Sequence, residues 1–133
     1  MPSNAEIADK WIIFTFARLY ESFPVRVDIS VEEIQNEIGG PPFGSVNVFA
    51  ADLASWLIEE KYIRSGTPYS DEVFLAEAVL TERALAALKK VPSAMSEKRS
   101  LGERLKDLSL DIGKSVAKKE AGEWIVELFS NLP

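Results

Sequence analysis

Two pairs of glutamates are adjacent in this chain, Glu32-Glu33 and Glu59-Glu60. Two carboxyls converging on one site can divide acid and base roles between them. Sequence neighbours on a helix point to different sides, so these pairs read as solvated faces. Ser65 with Lys61 and Ser115 with Lys114 hold the atoms of Ser/Lys dyads. No glycine-framed nucleophile motif surrounds either serine. The run GGPPFG, Gly39 to Gly44, is glycine-rich but lacks the lysine and the spacing of a phosphate loop. Its prolines also remove backbone donors that a phosphate would need, so it reads as a turn. Trp11, Trp56 and Trp124 each fall in a helical apolar stripe and read as core rather than as a ligand cage.

The chain has no cysteine and no histidine. Disulfides, thiolate nucleophiles and cysteine-based zinc sites are therefore excluded. So is the side chain most often used as a base near neutral pH. No loop carries the alternating carboxylates of a calcium site. The expectation is a non-enzymatic protein with no catalytic residue, no metal and no cofactor.

At 133 residues with 47% hydrophobic content, the chain has ample material for one core. Its N-terminus, MPSNAEIADKW, lacks the basic, apolar and cleavage regions of a signal peptide. The apolar run from Trp11 to Ala17 is far too short to span a bilayer. A cytoplasmic protein without a membrane span is expected. The charge is uneven: residues 1–95 hold eight Lys/Arg against fourteen Asp/Glu, the whole of the net −6, while residues 96–133 hold seven of each.

The elements that would position any site are marked by caps and periods. Ser3 and Glu6 form a capping box for a first helix over about 4–21. Its stripe (Ile7, Trp11, Phe14, Ala17 and Leu19, widened by Ile12, Ile13, Phe16 and Tyr20) is broad enough to be covered on more than one side. Val25, Val27 and Ile29 alternate with polar residues as a short strand. Ser30 and Glu33 open a second helix that Gly39 and Gly40 stop. Ser45 caps a third helix reaching about Glu60. Its inward face should be Val46, Phe49, Leu53 and Leu57 with Trp56 beside them, and its outward face Asn47, Val48, Ala51, Ser55, Ile58 and Glu59. Lys61 to Ser65 reads as a strand, GTPYSD as a tip, and Glu72 to Leu80 as an alternating return strand. Thr81 caps a fourth helix with Leu85 and Leu88 inward.

A polar linker, 93–100, follows. Ser100 and Glu103 then form a third capping box. Leu101, Leu105, Leu108, Ile112 and Val116 recur at steps of four, three, four and four, a long amphipathic helix despite Gly102, Gly113 and Gly122. The division expected is 1–92 as the body, 93–100 as linker and 101–133 as a docking or dimerisation helix.

The order helix, strand, helix, turn, helix, strand, tip, strand, helix resembles the winged helix-turn-helix superfamily. Its most specific residues are Val73 to Lys90, VFLAEAVLTERALAALKK. The run Leu80-Thr81-Glu82-Arg83-Ala84-Leu85 is similar to the way such proteins leave the wing. The resemblance covers about residues 10–92. It implies an α+β winged helix with an added N-terminal helix and a long C-terminal amphipathic helix. It also implies that the third helix and the wing meet duplex DNA. Carried over, that gives Asn47, Ser55, Lys61, Arg64 and Tyr69 as DNA contacts.

The residues on that face argue for a different partner. The third helix has Asp52, Glu59 and Glu60 and no basic residue, whereas a duplex binder needs Lys and Arg to displace counterions from phosphate. Three of its six outward residues, Val48, Ala51 and Ile58, are apolar. The expectation is a regulatory or adaptor protein working through protein contacts. Self-association as a homodimer would use Leu101, Leu105, Leu108, Ile112 and Val116, with Trp124, Leu128 and Phe129 as anchors. A DNA-binding transcriptional regulator is the alternative, disfavoured by the acidic body.

Overall fold

The structure is a computed structural model that describes residues 3–68, 70–90, 100–111 and 117–130. Among them are six helices and a three-stranded antiparallel sheet, an α+β fold: α1 Asn4–Ser22, β1 Val27–Ser30, α2 Val31–Ile38, α3 Val46–Glu59, β2 Ile63–Gly66, β3 Val73–Leu80, α4 Glu82–Lys89, α5 Leu101–Asp111 and α6 Ala117–Ser130. Local chemistry starts five of the helices. The hydroxyls of Ser3, Ser30, Ser45 and Thr81 accept from the backbone N–H of Glu6, Glu33, Asn47 and Ala84. At α5 the box is reciprocal. Ser100 Oγ accepts from Glu103 N–H, and Glu103 Oε1 accepts from Ser100 N–H, each at 3.1 Å. Each such cap is worth about 1 kcal/mol.

The strand order is β1-β3-β2, so β3 is central and β1 and β2 are edges. A plain alternation along β3 is not what forms. Phe74, Leu75, Ala76, Ala78, Val79 and Leu80 are all buried, because the strand is covered on both faces. Glu77 interrupts it with φ +48°, and the register slips in both ladders nearby. Side chains satisfy the displaced backbone groups. Asp28 Oδ1 accepts from Glu77 N–H at 2.7 Å. Ser65 Oγ donates to the Ala76 carbonyl at 2.8 Å and accepts from its N–H at 3.2 Å. The bulge is thus built from polar atoms on both flanking strands.

α1 is the central helix. It packs against β1, β3 and α2, and also against α5 and α6. Trp11 meets Phe49 and Phe74 edge-on at 5.0 and 5.3 Å. Five residues later, Phe16 meets Trp124 of α6 at 6.2 Å. The breadth of the α1 stripe therefore has a cause: α1 is covered by the sheet side and by the C-terminal helices at once. The GGPPFG segment is pinned to it. Trp11 Nε1 donates to the Gly39 carbonyl at 2.9 Å, and the Asn4 amide both donates to and accepts from the Phe43 backbone.

The C-terminal part corrects the expectation of one long helix. α5 ends at Asp111 and α6 starts at Ala117. Trp124 Nε1 donates to the Leu101 carbonyl at 3.0 Å. A continuous helix would hold those residues about 35 Å apart, so α6 must fold back on α5. Leu101, Leu105, Leu108, Trp124 and Leu128 are buried in the same cluster as Trp11, Phe16 and Leu75. The stripe expected at a dimer surface thus packs in cis, because α1 already offers it an apolar face. Of the described members of that set only Phe129 keeps substantial exposure, 38%. Ile112 and Val116 lie outside the described residues, as does nearly all of the expected linker.

Smaller corrections follow from packing. β1 starts at Val27, leaving Val25 exposed. β2 starts at Ile63, because Lys61 turns the chain with φ +63°. The buried line of α3 is Ala50, Ala54 and Leu57, with Val46, Phe49 and Leu53 only half-buried beside it. Trp56, expected inside, stands at the surface with 37% exposure.

Candidate functional site

α3 presents the outward face that its period predicts. Asn47, Val48, Ala51, Ser55, Ile58 and Glu59 are all exposed. Val48 (60%) and Ile58 (39%) are the large apolar members. Val48, Ala51, Ser55 and Ile58 recur at helical spacing and make one stripe about 15 Å long. Asp52 and Glu59 run along one side of it, both exposed, and α3 has no basic residue. At the C-terminal end the surface stays greasy. Trp56 lies 5.9 Å from Phe129 of α6, and both rings pack on Tyr62 at 5.5 and 5.6 Å.

Two grooves border this stripe. The first lies between α3 and the β2–β3 hairpin. It has a volume of about 260 Å³ and is lined by Asn47, Ala51, Ser55, Ile58, Ser65 and Asp71 among others. The second lies between the end of α3, β2 and the start of α4. It has about 680 Å³ and is lined by Ile58, Lys61, Ile63, Arg64, Ser65, Thr81, Glu82, Arg83 and Ala86.

The DNA-contact set is therefore divided. Asn47 and Ser55 line the first groove, with Asp71 among the other lining residues and no cation. Lys61 and Arg64 line the second. Tyr69 lies outside the described residues. Sequence reasoning missed Arg83. Its guanidinium donates to the Glu60 carbonyl at 3.1 Å and stands 5.9 Å from the centre of the Tyr62 ring. Burial raises the Tyr62 phenol pKa above its ordinary value, and the Arg83 charge pulls it partly back. The charged pair after Leu80-Thr81 was the available signal, since it fixes Arg83 in the first turn of α4 beside β2.

Two of the residues considered for catalysis, Glu33 and Ser65, are engaged in the fold. Glu33 is paired with Arg18, and Glu32, Glu59 and Glu60 are exposed. Ser65 Oγ is bound to both backbone groups of Ala76. Among the described residues, no three acidic side chains stand together to hold a metal ion. Ser115 and Lys114 lie outside them. No helix of the described residues is long and apolar enough to cross a membrane. Comparison of the chain with protein-family models, curated proteins and solved structures found no match.

Proposed function

We propose that this chain is a non-enzymatic winged-helix module, a regulator or adaptor that works by binding protein through the outward face of α3. The order of elements and the β1-β3-β2 sheet support the winged-helix reading. One observation carries the functional reading. The helix that in such folds meets the DNA groove exposes Val48, Ala51 and Ile58 beside Asp52 and Glu59. Phosphate repels that edge, whereas a polypeptide covers apolar side chains at a gain of about 25 cal/mol per Å². The partner is a second protein or another copy of the chain.

A photo-crosslinking side chain at position 48, used in cells that express the protein, tests this. Polypeptide adducts that disappear on adding Ala51→Glu and Ile58→Glu are expected. Adducts only to nucleic acid, or protein adducts indifferent to those changes, go against it.

A second reading, a DNA-binding regulator, draws on the convergence of Lys61, Arg64 and Arg83. It requires retardation of duplex DNA that weakens with salt and with Arg64→Ala. Free duplex at low salt removes it.

A further inference from the structure

We propose that the groove between the end of α3, the edge of β2 and the start of α4 binds an extended acidic peptide segment, which adds to β2 as a strand and sets its carboxylates against Lys61, Arg64 and Arg83. Three observations converge there, and of the outward stripe of α3 they use Ile58 alone.

The first is charge. Residues 1–95 are strongly acidic, with eight cations in all. Three of those eight line this groove, against the single carboxylate of Glu82. Arg83 is already held by the Glu60 carbonyl and the Tyr62 ring, and its Nε–H is buried without a hydrogen-bond partner. A held guanidinium loses less freedom on meeting a carboxylate.

The second is the backbone. β2 is an edge strand. The Tyr62 carbonyl accepts from Thr81 N–H, and Arg64 pairs with Val79, so both face β3. Strand alternation then turns the backbone groups of Ile63 and Ser65 the other way, toward the open edge. Ile63 and Ser65 both line the groove. An edge with free donors and acceptors is the template for an added strand.

The third is the lining. Ile58 and Ala86 supply apolar surface beside the cations, and the volume of about 680 Å³ has room for a few side chains. A segment alternating apolar and acidic residues matches all three features. Duplex DNA matches only the cations.

Fluorescence anisotropy on the full chain at low ionic strength tests the proposal. The probes are a dye-labelled peptide of alternating Glu and Val, its Lys-for-Glu counterpart, the Glu peptide N-methylated at alternate residues, and a random duplex. The Glu peptide alone should bind. Lys61→Glu with Arg64→Glu should weaken it by at least about tenfold, with an unchanged circular dichroism spectrum. Lys10→Glu, remote from the groove, should leave it unchanged, as should Val48→Glu, which separates this site from the α3 stripe. N-methylation should abolish binding, because an added strand needs its N–H groups. Absence of binding, indifference to charge reversal or to N-methylation, or preference for the duplex would each overturn the proposal. Indifference to charge reversal would mean that Lys61 and Arg64 only guard the edge against aggregation.

Discussion

Lys61 carries two demands that pull in opposite directions. Its φ of +63° places a β-unbranched but chiral residue in the left-handed region, at a cost of about 1 kcal/mol that glycine avoids. Its side chain is also one of three cations at the groove. Lys61→Gly should therefore raise the urea midpoint, by up to about 1 kcal/mol of stability, while weakening the acidic peptide. A variant that lost both would mean the ammonium is a structural contact. Asp9 offers a second test at this scale. Burial, and then the nearby Glu6 charge, raise its pKa above the ordinary value. A carboxyl with a higher pKa folded than unfolded favours the fold only when protonated, and costs stability once pH rises through the folded value. Asp9→Asn should be more stable than the parent at neutral pH. The difference should vanish below about pH 3, where aspartate is protonated in both states. Urea melts at the two pH values check this.

At the scale of elements, the docking of α5 on α1 turns on Gly102. A Cβ there would come within 2.6–2.8 Å of the Tyr20 ring and hydroxyl. Gly102→Ala should cost about 1–3 kcal/mol through overpacking, against the gain of up to about 1 kcal/mol that alanine normally brings to a helix. In a Tyr20→Ala background the same change should become neutral or stabilising, and a double-mutant cycle measures that coupling. This contact also marks the limit of what the chain discloses on reading. Ser3, Ser30, Ser45, Thr81 and Ser100 were legible as caps because a cap acts within three residues. The outward face of α3 was legible because period alone sets it. The fold-back of α6 was not, since it rests on Trp124 reaching Leu101, and no local pattern encodes a contact between distant residues. The bulge at Glu77 was hidden for the same reason, as it depends on Asp28 and Ser65 from two other strands. Arg83 was visible as a charge but not as a neighbour of Lys61 and Arg64.

At the scale of the molecule, the decisive fact is that α5 and α6 complete the core that α1 begins. Phe16 and Leu19 are fully buried on α1, and Trp124 and Leu128 are fully buried in the C-terminal part. A detachable docking helix would leave the rest folded on its removal. One continuous core does not, because uncovering side chains of that size forfeits about 1.5–3 kcal/mol each, comparable in sum to the whole stability of a small domain. A chain ended after Lys90 should therefore be unfolded or self-associated by light scattering. The intact chain supplies its own check. Trp11 reports on the α1–sheet packing and Trp124 on the C-terminal helices. With Trp56→Phe as background, variants retaining only Trp11 or only Trp124 should each show one unfolding transition. Relative to its own probe-removal cost, each should lose fluorescence in step with the far-ultraviolet dichroism, as a single cooperative unit requires. A Trp124 signal lost well before the dichroism would mean that α6 leaves first. The C-terminal helices would then be a releasable cover over α1, and the buried stripe of Leu101, Leu105 and Leu108 would again be open to a second molecule.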